Sequence, residues 1–67
     1  MINLRSAREA KGYTQEDVAA ALGVSRVAVT LWESGVNQPS ARYLVPLADL
    51  LGVSVDYLLG RIPASQS

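Results

Sequence analysis

Few residues of this chain could do covalent chemistry, and the polar groups that remain suit recognition. The 67-residue sequence has no histidine and no cysteine, which removes the usual general base, the commonest metal ligand and any disulfide. No pattern sets a serine beside a lysine as nucleophile and base, and there is no glycine-rich phosphate loop. We therefore predict that the chain is not an enzyme, that it uses no metal or cofactor, and that it has no small-molecule substrate.

The polar groups must be positioned by two short helices, which the segment QEDVAAALGVSRVAVTLWES predicts at residues 15–34. Apolar residues recur at the spacing of one helix face in each half of this segment. In the first half they are Val18, Ala19 and Leu22, and in the second Val29 and Trp32. Between them Gly23 can end the first helix in the left-handed conformation and Ser25 can cap the second. A tight turn between two such helices is the helix-turn-helix arrangement, whose second helix lies in the DNA major groove.

This segment resembles the helix-turn-helix of the lambda-repressor and Cro-like (XRE) family. The matching residues are Gln15, Ala19, Gly23, Val24, Ser25, Val29, Trp32, Glu33 and Gly35. The resemblance extends to Arg8 in the first helix and to LADLLGVSVDYLLG near the end of the chain, so it covers roughly residues 4–60. It implies an all-α fold, a compact five-helix lambda-repressor-like DNA-binding domain with helices 2 and 3 as the helix-turn-helix.

The expected helices span about residues 3–11, 15–22, 26–33, 41–51 and 55–59, with Asn3, Thr14, Ser25, Ser40 and Ser54 as N-caps. Pro46 lies inside the fourth helix, where it removes one hydrogen bond and can delay the regular part to Val45. We assign residues 1–60 to the domain. Residues 61–67, RIPASQS, have the composition of a polar tail or the start of a linker.

The outer face of the third helix carries the base-reading positions that the resemblance implies, which are Arg26, Val27, Thr30 and Leu31. Arg26 can contact guanine O6 and N7 in a bidentate manner, or instead contact a phosphate. Val27 offers methyl groups to a thymine methyl, and Thr30 can donate, accept or touch a methyl. Because this face has fewer polar groups than the amide-rich faces of some relatives, DNA shape can carry part of the specificity.

Contacts to the DNA backbone are expected on both sides of that helix, from Thr14, Gln15, Ser34, Asn37, Gln38 and Arg42. Gln15 begins the second helix, where an amide and nearby N–H groups can bind phosphate, although a solvated amide is the alternative. Arg42 stands in the first turn of the fourth helix, where a cation opposes the helix dipole. A phosphate at that point would explain it, and a solvated arginine is an equal alternative.

Arg8 falls on the inner face of the first helix, and the resemblance implies a partly buried ion pair between Arg8 and Glu33. The alternative is an arginine that reaches solvent. Breaking one partner of a buried pair costs about 3–5 kcal/mol, so the pairing would make Glu33 structural.

The net charge is zero, with six basic and six acidic residues, although nucleic-acid binding usually requires a basic surface. We expect an uneven distribution, with Arg26 and Arg42 toward DNA. The acidic residues expected to face away are Glu9, Glu16, Asp17, Asp49 and Asp56. Because few phosphates are neutralised, we predict a shallow dependence of binding on salt.

We therefore predict a sequence-specific regulator of double-stranded DNA, a bacterial or phage repressor that binds a palindromic operator as a homodimer. A dimer patch is expected at Val53, Val55, Tyr57 and Leu58. The alternative function is a protein-binding module of the same fold, of antitoxin or anti-repressor type. No apolar run approaches the ~20 residues of a membrane span, and we expect a cytoplasmic, nucleoid-associated domain with no membrane partner.

Overall fold

The computed structural model of the chain describes Met1 and residues 3–61. These residues form five α-helices and, within that part of the chain, no strand. The helices are α1 (Leu4–Ala10), α2 (Gln15–Leu22), α3 (Arg26–Ser34), α4 (Ala41–Leu51) and α5 (Val55–Leu58). The predicted bounds of α2 and α4 are confirmed, whereas α1 is shorter at both ends, α3 is one residue longer and α5 is one residue shorter.

Local hydrogen bonds explain where α2 and α3 begin. The Thr14 hydroxyl accepts from the Asp17 N–H at 3.0 Å, and the Asp17 carboxylate accepts from the Thr14 N–H at 2.8 Å. This reciprocal capping box satisfies two N–H groups that a helix start otherwise leaves unpaired. The Ser25 hydroxyl accepts from the Ala28 N–H at 3.2 Å. Gly23 ends α2 at φ +71°, and the turn between α2 and α3 is only three residues long, from Gly23 to Ser25.

Two of the predicted N-cap residues, Asn3 and Ser40, stand at the N-cap position but make no side-chain capping hydrogen bond. The Asn3 side chain makes no capping hydrogen bond to α1 and instead donates to the Tyr57 carbonyl at 2.7 Å. Ser40 has the extended backbone of a cap, but its hydroxyl accepts no hydrogen bond from α4. The prediction for Ser54 is confirmed, because its hydroxyl accepts from the Tyr57 N–H at 3.0 Å.

A single core joins all five helices, and it is built from aliphatic residues with two aromatic ones. Its fully buried large side chains are Leu4, Val18, Val29, Leu47, Leu51 and Leu58. The ring of Trp32 on α3 packs on Tyr43 of α4, with centroids 5.8 Å apart. α3 packs against α2 and α1, and α4 packs against α2 and α5. α3 therefore packs against the core on one side, and its other side is exposed to solvent.

α4 passes through Pro46 without interruption from Ala41 to Leu51. Pro46 and its neighbour Val45 lie on the exposed side of the helix, where the carbonyl that the missing N–H leaves unpaired can be hydrated. The delayed start at Val45 is therefore not needed.

The predicted dimer patch is wrong in half of its members. Tyr57 and Leu58 are 7% and 0% exposed because α5 turns them into the core of the same chain. Val53 and Val55 are half-buried and pack against that core. Of the sequence assigned to the tail, only Arg61 lies within the described residues, where it pairs with Asp56 at 3.6 Å.

Candidate nucleic-acid interface

The outer face of α3 brings the four predicted base-reading residues onto one surface. Arg26, Val27 and Thr30 are exposed, and Leu31 is half-buried. Their positions follow i, i+1, i+4 and i+5, which place side chains on one face of a helix. Val27 is 65% exposed, so its methyl groups are open to an external contact. The face is mixed, with a cation at its start, a hydroxyl at its centre and methyl groups between them.

A buried ion pair lies directly behind this face. The guanidinium of Arg8 donates from Nε to Glu33 Oε2 at 2.6 Å and from Nη2 to Glu33 Oε1 at 3.4 Å. Arg8 Nη1 also donates to the Tyr13 carbonyl at 2.8 Å, so the same side chain holds the turn before α2. The predicted pair is thus present, with side chains only 11% and 7% exposed.

The ion pair keeps Arg8 charged. The hydrogen bond to Glu33 raises the pKa of Arg8 above its ordinary value, and this effect outweighs burial, which lowers it. Stability that comes from a raised pKa is present at every pH below the ordinary arginine range and is lost only as pH rises through the folded value. Arg8 therefore adds no pH dependence near neutrality.

Gln15 connects the ion pair to the outer face of α3. Its amide Nε2 donates to Glu33 Oε1 at 3.0 Å, and its Oε1 accepts from the Thr30 hydroxyl at 3.0 Å. The predicted phosphate-binding amide is therefore half-buried and held between two protein partners. One amide hydrogen of Nε2 is left for an external acceptor, since the amide nitrogen carries two.

The charges at this surface are not separated as the sequence predicts. Glu16 is expected to face away from DNA and Arg26 toward it, yet Arg26 Nη1 lies 3.4 Å from Glu16 Oε1. The reason is the turn geometry, which brings the start of α2 beside the start of α3. Both side chains are exposed, at 63% for Arg26 and 74% for Glu16. An acidic group therefore shares the surface with the best candidate for guanine recognition.

The remaining predicted backbone contacts lie around α3, and several already have protein partners. The Thr14 hydroxyl is used by the α2 cap, and the Ser34 hydroxyl donates to the Leu31 carbonyl at 3.0 Å. Asn37 and Gln38 are exposed between α3 and α4. Arg42 is exposed, and its guanidinium lies 5.4 Å from the centroid of the Tyr43 ring, within the range of a cation–π contact. Its contact with a phosphate stays a prediction.

An open surface depression collects the polar groups at the start of α2 and α3. Its lining residues are Arg8, Tyr13, Thr14, Gln15, Glu16 and Arg26. Two guanidinium groups and one carboxylate share this lining, so the depression is of mixed charge.

Sequence reasoning missed the two contacts that make these residues one unit, Gln15 with Thr30 and Glu16 with Arg26. Each joins residues ten or more positions apart, outside any helix periodicity. A signal existed for the neighbouring contact of Gln15 with Glu33. A carboxylate offers about four acceptor sites, and Arg8 does not fill them all, so Glu33 at the end of α3 was free to bind a further donor from α2.

Two further observations concern other kinds of site. Among Met1 and residues 3–61, no group of acidic side chains is arranged to hold a metal ion. Over the same residues, no helix has the length and apolar character needed to cross a membrane.

A three-residue turn between α2 and α3, with α3 packed on one side and open on the other, defines a helix-turn-helix domain. A family model described as Helix-turn-helix matches residues 4–58. The chain belongs to this family, and the predicted all-α, lambda-repressor-like (XRE) type is confirmed.

Relatives of known name agree with this assignment. The chain is 40% identical over 57 residues to the uncharacterized HTH-type transcriptional regulator YqaE of Bacillus subtilis (strain 168), covering 85% of this chain and 49% of YqaE. It is 44% identical over 55 residues to the uncharacterized HTH-type transcriptional regulator YazB of the same organism, covering 82% of this chain and 80% of YazB. It is 38% identical over 58 residues to the cryptic phage CTXphi transcriptional repressor RstR of Vibrio cholerae serotype O1 (strain ATCC 39315 / El Tor Inaba N16961), covering 87% of this chain and 52% of RstR.

The chain spans about half the length of YqaE and RstR. All three of these relatives are named as transcriptional regulators or repressors. The prediction that this domain belongs to a helix-turn-helix class, not to an enzyme class, is confirmed by the family match.

Proposed function

We propose that this domain binds double-stranded DNA in a sequence-specific manner and represses transcription by occupying an operator. The observation that carries the proposal is the outer face of α3, where Arg26, Val27 and Thr30 are exposed together on a helix whose other side is fixed in the core. A helix held in this way can enter the major groove with a fixed register. RstR, which is named as a phage transcriptional repressor, supports repression as the direction of control.

Each part of the face has a role in the proposal. Arg26 at the start of α3 contacts a guanine or a phosphate, and Val27 and Leu31 contact apolar groups of the bases. Gln15 uses its remaining amide hydrogen on a phosphate, and Asn37 and Gln38 contact the backbone beyond the end of α3. The domain would act on the nucleoid, in the cytoplasm.

We further propose that the protein acts as a homodimer on a palindromic operator. Helix-turn-helix dimers place their reading helices in half-sites about 34–36 Å apart, one turn of DNA. Two such domains in one dimer would gain affinity because both half-sites are bound at the same time. Such cooperation suits a chain with zero net charge, because a single copy neutralises few phosphates.

A second candidate function is a protein-binding module of the same fold. The observation in its favour is the apolar content of the surface, with Val27 and Val36 65% and 70% exposed near the two ends of α3. A groove-binding face is normally polar, whereas protein interfaces use apolar and aromatic anchors.

Selection from a random DNA duplex, read at two salt concentrations, tests the proposal. We expect enrichment of a palindrome whose half-sites are one helical turn apart. Variant Arg26→Ala should then lose about 1–3 kcal/mol of binding free energy, or roughly 5- to 150-fold in Kd. Variant Arg5→Ala is the matched control, because it removes an equal charge from α1, where Arg5 pairs with Glu9 at 3.2 Å.

Each other result has a defined meaning. Equal losses for the two arginine variants would show that Arg26 acts only through net charge. No enrichment by the folded protein at low salt would contradict DNA binding and favour the protein-binding module.

A further inference from the structure

A chain of hydrogen bonds behind α3 runs from Arg8 through Glu33 and Gln15 to Thr30 on the surface. Which group donates and which accepts is fixed at every step. The hydrogen-bond chain begins at the Arg8 guanidinium, which has donors only, and passes to the Glu33 carboxylate, which has acceptors only. Gln15 stands 3.0 Å from that carboxylate. Because the carboxylate has no hydrogen to give, the amide must turn its NH₂ group toward Glu33 and its carbonyl oxygen away.

The Gln15 carbonyl oxygen then faces Thr30. The distance from Thr30 Oγ1 to Gln15 Oε1 is 3.0 Å, and since a carbonyl oxygen can only accept, the hydroxyl must donate. Thr30 Oγ1 also lies 3.1 Å from the carbonyl oxygen of Arg26, one helical turn earlier. A hydroxyl carries one hydrogen, and both of its neighbours within the protein are acceptors. The hydroxyl hydrogen therefore points into the protein.

An exposed threonine whose hydrogen is already used can offer the outside only lone pairs and a methyl group. In the major groove, adenine N6 and cytosine N4 are hydrogen-bond donors, whereas guanine O6 and thymine O4 are acceptors. Lone pairs on Thr30 match the first two bases and repel the oxygen atoms of the other two.

Resting on the DNA binding proposed above, we propose that Thr30 is a hydrogen-bond acceptor that distinguishes amino bases from keto bases. On the strand that it faces, it selects adenine or cytosine over guanine or thymine. Gln15 is the positioning residue that fixes this polarity, and Glu33 orients Gln15. The ion pair thus contributes to specificity without any contact to DNA.

The test begins by locating the base that Thr30 faces. Random-duplex selection is run with the wild-type domain and with Thr30→Val, which keeps the shape and one methyl group but removes the hydroxyl. The position where the two selections differ is the one that Thr30 reads. We expect the wild type to select adenine or cytosine there on one strand.

The amino group itself is then removed. At that position, adenine is replaced by purine, which lacks only the 6-amino group, or cytosine by pyrimidin-2-one, which lacks only the 4-amino group. We expect the wild-type Kd to rise about three- to tenfold, the range of one neutral hydrogen bond, and that of Thr30→Val by less than about twofold. The ratio of the two Kd values for each protein cancels any general loss of affinity.

The role of Gln15 is tested with Gln15→Met, which keeps the length of the side chain, has no amide and leaves the Arg8–Glu33 pair in place. This variant avoids the folding defect expected of a Glu33 substitution. Its Thr30 hydroxyl keeps only the Arg26 carbonyl as a partner, so we expect its discrimination against the deaminated duplex to fall toward that of Thr30→Val. Full discrimination in Gln15→Met would overturn the positioning role.

Selection of guanine or thymine in a manner that depends on the Thr30 hydroxyl would show that it donates, and would overturn the acceptor assignment. A preference that is identical in Thr30→Val would also overturn it, because a methyl contact would then suffice. These results all require a bound duplex. Failure of the folded wild type to bind any duplex at low salt would instead contradict the proposed function.

Discussion

Two arginine–glutamate pairs border the helix-turn-helix, and they differ in every property that sets the strength of an ion pair. Arg8 and Glu33 lie 2.6 Å apart with side chains 11% and 7% exposed, whereas Arg26 and Glu16 lie 3.4 Å apart with side chains 63% and 74% exposed. The inner pair has further partners in Tyr13 and Gln15, and the outer pair has bulk water. The two pairs therefore have different roles, although they consist of the same residue types. The inner pair holds α1 and α3 together, and the outer pair sets the charge of the surface.

Burial explains the difference. A buried charge that loses its partner keeps the full cost of its desolvation, so breaking the inner pair is expensive even if forming it gained little. An exposed pair loses little when broken, because water and salt replace the partner, and such pairs contribute about 0–1 kcal/mol. Substitutions in the inner pair should thus change the free energy of unfolding, and substitutions in the outer pair should change the affinity for DNA.

The largest expected effect is the loss of stability in Glu33→Gln. We expect the free energy of unfolding to fall by about 3–5 kcal/mol, because Arg8 would remain buried without its carboxylate. Urea or thermal unfolding followed by circular dichroism measures this. Glu16→Gln, the same change at the outer pair, and Thr30→Ala serve as controls and should stay close to wild type. Equal transition midpoints for Glu33→Gln and its controls would contradict a structural role for the inner pair.

An intermediate effect is expected when both members of the inner pair become apolar. The double variant Arg8→Met with Glu33→Leu leaves no buried charge, so it should be destabilised by only about 1 kcal/mol, with the lost hydrogen bond to the Tyr13 carbonyl as the main cost. The same unfolding measurement applies. If the double variant were as unstable as Glu33→Gln, the ion pair itself would stabilise the fold. It would then do more than offset the cost of burying its two charges. A stable double variant should still lose base discrimination at Thr30, since Gln15 would have no carboxylate to orient it.

The smallest effect is expected at the outer pair. Glu16→Gln should leave the free energy of unfolding within about 0.5 kcal/mol of wild type. It should raise affinity for DNA by about two- to fivefold at low salt, because Arg26 is released and a negative charge leaves the surface, and the gain should shrink as salt screens the charges. Titration of an operator duplex at two salt concentrations measures it. Glu9→Gln on α1 is the charge-matched control, and an equal gain there would show a general charge effect.

The parts of the fold that the sequence predicts are those held by local hydrogen bonds. Thr14 with Asp17 and Ser25 with Ala28 are each three residues apart, so their capping role is visible in the sequence itself. The missing capping bond of Asn3 has a tertiary reason. Asn3 has a stronger use in its contact with the Tyr57 carbonyl, 54 residues away, and no local pattern can report such a partner.

The candidate interface also has features that local sequence predicts and features that depend on tertiary structure. That Arg26, Val27 and Thr30 share a face follows from helix periodicity. The inner position of Arg8 also follows from periodicity, whereas its pairing with Glu33 is what the family resemblance implies. The positions of Gln15 and Glu16 relative to α3 depend on the angle between two helices, which the sequence does not specify. The dimer patch failed because an apolar residue in a short helix can face the core or the outside, and α5 turns Tyr57 and Leu58 inward.

The Gln15 bridge also has a consequence for how such a domain can evolve or be redesigned. Thr30 is tied through Gln15 to Glu33, so a new base preference at Thr30 depends on residues behind the outer face as well as on Thr30 itself. Val27 has no such tie and is 65% exposed, and Arg26 has only a weak exposed partner. New operator preferences should therefore arise first at Arg26 and Val27, and libraries that randomise these two positions should yield more variants with a changed base preference than libraries that randomise Thr30 alone.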